Sequence, residues 1–442
     1  MLVPLVLGLA AFQSADALPT GPLTPRALGG AFASPFSPPV QGAAVSGRVL
    51  EITLAFSGQT YEERFVLGIP ANLQVPAPVL TLFHGYGEEP LDVVQNTPLV
   101  QEAMQRGWLV FVPLGAHKFN YGIDYAQENI ELAFSFLSAR LNLDLDRIYA
   151  VGFSMGGGAA ASFASRHLDP NGIRIAALVN HTGTTSLRAT FQTTTANNQN
   201  FLRHPLMFGG TPDQVPFRYR RSSTVDYDAL AGTIDANSEM ASNIAHIATR
   251  HWNAEFDPNL ALIDQTVRLH ERMLARGADS ARRVVTSSVH TWTTLDSTAV
   301  LDWLEQQTLS APAAGSVAKT FADRDGRWHE LDIVQDRAGE LTPVLWSSQP
   351  SFNTLYLIEM ANAASIGTDV VRLDLDTTQP LKLVLQTLDA SEPDIVLSGV
   401  PSAPSDVRRG GVSVPSWSYD ATSQTLTLHE SGRGWATWTV VP

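Results

Sequence analysis

The strongest constraint on the fold is a change of rhythm along the chain near residue 310. Before that point, short apolar segments alternate with helical patterns. The sequence predicts strands at 48–55, 63–67, 78–83, 108–112, 147–151, 174–180, 205–208 and 282–286. Between them lie helices at about 125–141, from the glycine-rich 152–158 to 166, and at about 259–276 and 296–307. The first carries Ile130, Leu132, Ala133, Phe136, Leu137 and Leu141 at helical spacing. Strands alternating with helices read as βαβ units, hence an α/β domain with a mostly parallel sheet covered on both faces. Residues 310–316 read SAPAAGS, a small-residue linker. Beyond it, strand-like segments recur at 331–334, 354–359, 370–374, 381–387, 424–429 and 436–440 with turn residues between them. That spacing predicts a β-sandwich-like second domain. A length of 442 residues accommodates both, at roughly 150 residues per domain.

Composition excludes several classes of function. The chain has 29 Lys and Arg against 43 Asp and Glu, a net charge of −14, and no basic cluster. No nucleic-acid or anionic-membrane partner is therefore expected. It has no cysteine, which removes disulfides, thiolate metal sites and a cysteine nucleophile. Residues Leu2 to Phe12 are apolar, and Ala15-Asp16-Ala17 has the small-x-small pattern of a cleavage site. Residues 1–17 are expected to be a signal peptide, although the first basic residue is Arg26, so the mature protein is expected to be secreted or periplasmic. A Pro/Gly-rich lead-in at 18–45 follows. No later segment reaches 18 uninterrupted apolar residues, so the mature chain is expected to be soluble.

Four short motifs carry the chemistry. Gly152-Phe153-Ser154-Met155-Gly156 has the form G-x-S-x-G between a predicted strand and a predicted helix. A serine on such a sharp turn needs glycines two before and two after it to relieve crowding. In a chain with 32 glycines the pattern alone also fits an ordinary turn packing a helix on a sheet. His84-Gly85-Tyr86-Gly87 ends the strand VLTLF, where a main-chain N–H can face a developing oxyanion. The two donors are assigned to the amides of Tyr86 and Met155; read by itself, the motif is a strand-ending turn. Gly209-Gly210-Thr211-Pro212-Asp213 follows the segment 205–208 and offers Asp213 as the carboxylate that orients a histidine, with Asp226 and Asp228 in reserve. His290, in Val289-His290-Thr291-Trp292, is the general base. Among the ten other histidines, His84 is expected to shape the oxyanion loop and His181 to line the pocket, with Gly85 and Trp292 as further pocket candidates. The chain order Ser154, Asp213, His290 is the one found in α/β-hydrolases. Such chemistry requires no metal and no organic cofactor.

On these motifs, residues of about 48–307, roughly 60% of the chain, resemble the α/β-hydrolase superfamily. The likeness is to secreted esterases of the polyhydroxybutyrate depolymerase and feruloyl or acetylxylan esterase type. GFSMGG at 152–157 approximates the G-H-S-M-G-G of cutinase-like polyester hydrolases, with Phe153 in place of His, and Tyr86 and Met155 match their oxyanion pair. The resemblance implies an ester substrate: a polyester, a polysaccharide-linked acyl group or a small ester. Asp213 and His290 stand 77 positions apart, more than the family's usual few tens. The excess makes about 218–256 an insertion, read either as a lid over the pocket or as a peripheral hairpin.

The leading reading is a serine carboxylic-ester hydrolase working through an acyl-enzyme. A serine peptidase of prolyl-oligopeptidase type has the same triad, but an N-terminal propeller would be expected there. A catalytically silent protein that binds through its C-terminal domain is the alternative from another class. Five of the nine tryptophans (Trp328, Trp346, Trp417, Trp435, Trp438) lie beyond residue 316, as core of a small sandwich or as stacking platforms. Asp323-Arg324-Asp325-Gly326 reads as a turn rather than a calcium loop. Neither the particular ester nor the oligomeric state is legible in the sequence.

Overall fold

The structure, a computed structural model, describes residues 6–8, 47–235, 238–312 and 315–442. Apart from the three-residue strand Val6–Gly8, the expected leader (1–17) and lead-in (18–45) lie outside the described residues, as does part of the linker. The chain divides into two compact units. Of the described residues, the first comprises those up to 164 and those within 173–234 and 247–309; the second comprises those within 165–172, 235–246 and 310–442.

The first unit is built on a nine-stranded sheet. Its strands are β1 (Val6–Gly8), β2 (Gly47–Ala55), β3 (Glu63–Pro70), β4 (Ala77–Phe83), β5 (Leu109–Pro113), β6 (Leu143–Phe153) and β7 (Ala177–His181). A two-residue hairpin, β8 (Tyr227–Asp228) and β9 (Thr233–Ile234), stands apart from it, and β10 (Ala248–Ala254) and β11 (Ser280–Val285) complete it. The order is β1-β2-β3-β5-β4-β6-β7-β10-β11. Only the β2–β3 and β3–β5 pairs are antiparallel. β4 reads APVLTLF and is buried along its whole length, the continuous apolar run of a strand covered on both faces. On one face Leu80, Leu82, Val110, Tyr149 and Val151 pack with α1 (Pro90–Asn96) and α2 (Leu99–Gln105) and with the late helix Ser297–Leu304. On the other, Phe83 and Phe111 meet Phe163 and Phe134, ring centroids 5.8 and 4.7 Å apart, on α4 (Met155–Arg166) and α3 (Asp124–Ser138). This is the expected α/β architecture. The chain runs from β4 outward to β5 and returns across it to β6, so the carboxyl ends of β4 and β6 flank the point where the order reverses, the usual place for a ligand crevice.

Two segments differ from expectation, and they differ together. Residues 205–208 form a turn, not a strand, with Met207 and Phe208 buried against Met155, Tyr121 and Ile123. The strand beside β7 is instead β10, with the sequence ATRHWNA. Its Thr249, His251 and Asn253 are buried polar side chains, so apolar patterning missed it. They are satisfied by hydrogen bonds instead: Asn253 Nδ2 donates to Thr182 Oγ1 at 3.2 Å, and His251 lies 3.3 Å from both the Asn180 amide and Thr249 Oγ1. Burial pushes the His251 imidazole down to about 3, leaving it neutral. The expected insertion at 218–256 is therefore not one body. It begins in a short helix (Pro216–Arg221), its residues 235–246 belong to the second unit, and its end is a strand of the main sheet.

The second unit is β-rich. One sheet has the order β12 (Ala318–Ala322), β15 (Thr342–Gln349), β16 (Thr354–Met360), β18 (Leu381–Thr387), β24 (Gly434–Val441), β20 (Asp406–Arg409), β21 (Val412–Ser413). The other runs β13 (Gly326–Trp328), β14 (Leu331–Gln335), β17 (Ala363–Asp369), β19 (Asp394–Ser398), β23 (Thr425–His429), β22 (Trp417–Asp420). Leu355, Leu383 and Trp438 of the first share one core with Ile333, Ile366, Ile395 and Leu426 of the second. The predicted strand at 370–374 is a turn. Trp328, Trp346 and Trp438 are core residues and Trp417 packs against that core, whereas Trp435 is 65% exposed.

Arg166, at the end of α4, and Asp323, in the turn after β12, form an ion pair of 2.8 Å with both side chains fully buried. Removing one charge from such a pair strands the other in a low dielectric. Asp323→Asn is expected to destabilise this unit by about 3 kcal/mol. Glu340→Gln, at the exposed Arg337–Glu340 pair, is expected to leave stability close to that of wild type, because solvent screens the pair. Denaturant unfolding of the two variants measures the difference.

Candidate active site

Ser154 occupies the turn between β6 and α4 at φ +55°, a left-handed conformation that costs a non-glycine residue roughly 1–2 kcal/mol. The surrounding glycines explain how it is tolerated. A Cβ on Gly152 would lie 2.1 Å from the Gly156 carbonyl oxygen, and one on Gly156 would lie 2.0 Å from that of Phe83. The turn is pinned to β7: the Ser154 N–H donates to the His181 carbonyl at 2.9 Å, and the Thr184 N–H donates to the Ser154 carbonyl at 3.1 Å. Ser154 is half-buried, and its hydroxyl makes no hydrogen bond among the described residues.

His290 stands on the ring of Phe153, centroids 4.5 Å apart, with its side chain 17% exposed. Its Nδ1 lies 2.6 Å from Asp257 Oδ2. The Asp257 side chain is wholly buried, and its second oxygen accepts the Asn259 N–H at 2.8 Å. Burial raises the Asp257 carboxyl, but the bonds from His290 and Asn259 outweigh it and hold the group below the ordinary carboxylate range. An ionised acceptor at Nδ1 fixes the neutral imidazole as the Nδ1–H tautomer, which leaves the Nε2 lone pair free to take a proton.

The acid expected from the sequence is thus displaced. Asp213 is 86% exposed, pairs with Arg188 at 3.0 Å and does not meet His290; Asp226 and Asp228 also face Arg188. Asp257 follows β10 and is 33 residues from His290, so the long interval to the base was a consequence of taking 205–208 for the strand.

The amides of Tyr86 and Met155, the expected oxyanion donors, make no hydrogen bond among the described residues. Met155 opens α4, where the first N–H groups have no helical partner. The Gly85 N–H donates to Glu88 Oε2 at 2.6 Å, and the Trp292 indole N–H donates to the same carboxylate at 3.0 Å. Glu88, which sequence reasoning did not select, therefore ties the oxyanion turn to the loop that carries His290. The acidic pair Glu88-Glu89 directly after HGYG was the available signal. The Tyr86 ring is 48% exposed, and its centroid lies 4.7 Å from that of Phe119. Burial raises its phenol pKa.

The four pocket candidates are not surface groups. Gly85, His84, His181 and Trp292 are buried. The two His84 ring nitrogens lie 2.8 and 2.9 Å from the carbonyls of Gly85 and Leu114. A cavity of about 260 Å³, lined by Tyr61, Tyr125, Arg218 and Arg221 among others, includes neither Ser154 nor His290. Among the described residues, no group of three or more His, Asp or Glu side chains could hold a metal ion, and no helix is long and apolar enough to cross a membrane.

No family model and no curated protein matches the chain. Among solved structures, it is similar to an S-formylglutathione hydrolase from Agrobacterium tumefaciens, with a TM-score of 0.45 and 14% identity over 60% of this chain and 97% of that one. It is similar to a ferulic acid esterase, with a TM-score of 0.42 and 16% identity over 59% and 97%. It is also similar to a thermostable esterase from Pseudomonas putida, with a TM-score of 0.39 and 19% identity over 59% and 81%.

Behind the oxyanion turn, the buried carboxylate of Glu63 accepts the N–H groups of Leu114 and Gly115 at 2.9 Å and of Ala116 at 2.8 Å. Gly115 and Ala116 have φ of +61° and +67°, so their amides converge on it as an anion-binding nest. Burial pushes this carboxyl up to about 7, and the three amides offset only part of that rise. The native state therefore binds more protons than the unfolded chain between about 4.5 and 7, and stability falls as pH rises through that window. The shift corresponds to about 3 kcal/mol. Glu63→Gln is expected to abolish this decline, as read by denaturant midpoints at pH 5 and pH 8.

Proposed function

We propose that this chain is a serine hydrolase of carboxylic esters, with Ser154 as nucleophile, His290 as general base and acid, and Asp257 as the carboxylate that orients it. The observation that carries the reading is the pairing of His290 Nδ1 with a fully buried carboxylate, on the ring of Phe153, the residue that precedes a serine held in a left-handed turn. Ser154 Oγ attacks the ester carbonyl carbon and its proton passes to His290 Nε2. That transfer needs a hydrogen bond that forms when substrate engages, since catalytic contacts are often open in the free enzyme. The negative charge formed on the carbonyl oxygen meets the two unoccupied amides of Tyr86 and Met155. Collapse breaks the C–O bond and His290 returns the proton to the leaving alcohol. Water, deprotonated by the same nitrogen, then attacks the acyl-serine, and Ser154 regains its proton as the acid departs.

His290 is cationic in both tetrahedral states, so Asp257 must remain an anion; its lowered pKa supports that role. Polyesters, polysaccharide-linked acyl groups and small esters all belong to the proposed substrate class. Export directed by residues 1–17 is part of the proposal; a mature chain beginning at Leu18 would support it.

The test uses p-nitrophenyl acetate and butyrate. Wild type is expected to turn over, and Ser154→Ala to lose turnover. Asp257→Asn should retain the fold and lose roughly 10²–10⁴ in kcat, because the base then rests in the wrong tautomer. Asp213→Asn should stay within about twofold of wild type, since an exposed side chain away from the reacting atoms contributes nothing to them. A Ser154→Ala protein as active as wild type, or Asp213→Asn as damaging as Asp257→Asn, would overturn the assignment.

A further inference from the structure

His181 is fully buried at the end of β7, and both of its ring nitrogens face carbonyl oxygens: Nε2 lies 2.9 Å from that of Thr291 and Nδ1 lies 3.1 Å from that of Trp252. Burial holds its pKa below the ordinary histidine range, so the ring is neutral and carries a single N–H. One of the two carbonyls must go without it, and the neighbouring hydrogen bonds decide which.

The deciding chain begins on β11. Arg282 Nε can only donate, and it donates to Asn253 Oδ1 at 2.9 Å. This fixes the amide, so Asn253 Nδ2 points at Thr182 Oγ1, 3.2 Å away. The hydroxyl has accepted and must place its own proton elsewhere. It has two acceptors in reach, the Trp252 carbonyl at 3.3 Å and His181 Nδ1 at 3.4 Å. The Trp252 carbonyl already receives the Thr182 N–H at 3.0 Å. Thr182 is held in this position at φ +48°, an uncommon conformation for a β-branched residue. A proton on Nδ1 would leave the Nε2 lone pair against the Thr291 oxygen at 2.9 Å with no donor between them. With the proton on Nε2, Nδ1 can accept from Thr182 and Thr291 receives a bond. Thr291 is the residue directly after His290; the two imidazole rings are 6.3 Å apart, and both lie against Phe153, centroids 4.9 and 4.5 Å from its own.

We infer that His181 is a positioning residue for the general base, locked by the Arg282–Asn253–Thr182 relay as the Nε2–H tautomer and holding the His290 loop through the Thr291 carbonyl. The inference rests on His290 being the base. It predicts that the loop, not substrate binding, suffers when this one donor is lost.

Three variants and one spectrum test it on the full chain. A glutamine places an amide N–H where Nε2–H stands, an asparagine places one nearer Nδ1, and a leucine places none. His181→Leu is expected to lose at least tenfold in kcat on p-nitrophenyl butyrate with KM within about twofold, His181→Asn to behave like it, and His181→Gln to recover most of the loss. In ¹⁵N-histidine-labelled Ser154→Ala protein, the resonance that disappears in His181→Gln should show hydrogen on Nε2 and none on Nδ1. Thr182→Val should mix the tautomers. The spectrum requires no activity, so it stands or falls separately from the proposed hydrolysis. An Nδ1–H tautomer at His181, equal rescue by asparagine and glutamine, or full kcat in His181→Leu would each overturn the inference. Should the leucine variant fail to fold, the asparagine–glutamine contrast and the spectrum decide.

Discussion

The carboxyl edge of the sheet depends on backbone segments that approach more closely than any side chain would allow. A Cβ on Gly156 would sit 2.0 Å from the Phe83 carbonyl, on Gly157 2.4 Å from Asn180 Oδ1, and on Gly158 2.0 Å from the Thr184 carbonyl. α4 therefore rests directly on the ends of β4 and β7. That contact sets the height of Ser154 and brings the two open amides, one from the loop that follows β4 and one from the first turn of α4, to the same edge. The strain of the left-handed serine is offset locally by two hydrogen bonds, from the Ser154 N–H to His181 and from Thr184 to Ser154. The strand that supplies the first of those bonds also carries His181, whose ring reaches the Thr291 carbonyl beside His290.

Around this contact several buried or partly buried polar groups are answered by hydrogen-bond partners. Glu88 receives Gly85 and Trp292, Glu63 receives three consecutive amides, Asp257 receives His290 and Asn259, and β10 carries a row of satisfied polar side chains. Buried carboxylates facing backbone N–H groups act as rigid pins. They hold loops in shape without filling space that a substrate needs. The low charged fraction of the chain, 16%, is thus unevenly used, with several of its carboxylates placed inside.

What could be read from the sequence follows from the range of the forces involved. The turn that carries Ser154 is legible because its requirement is local: two glycines within two residues of a serine, between a strand and a helix. His290 is legible for a similar reason, being next to an aromatic motif at a strand end. The carboxylate that meets His290 is not, because locating it requires knowing which of two segments enters the sheet. Residues 205–208 are apolar and turn; residues 248–254 are polar and extend between β7 and β11. Periodicity records transfer to an apolar medium. It is blind to a strand whose interior side chains are paid for by hydrogen bonds to neighbours remote in sequence. His84 and His181, both pocket candidates, are buried with their ring nitrogens beside carbonyl oxygens; a histidine at a strand end looks identical in one dimension whether its nitrogens meet substrate or carbonyls.

The second unit closes its core with chain from three places. Leu168, Met240 and the strands after 318 share one apolar cluster, and Asn243 donates to the carbonyls of Ser165 and Phe321 while its oxygen accepts the Phe321 N–H. Two of these pieces interrupt the first unit's own sequence. During synthesis, then, residues 165–172 and 235–246 emerge long before their partners exist, and they must wait with apolar and polar groups unmatched until the last 130 or so residues arrive. The apparent linker near 310 is for the same reason a poor place to cut. A chain ended there would keep two orphaned inserts and should be prone to stick to itself, whereas the tail alone would lack part of its interior.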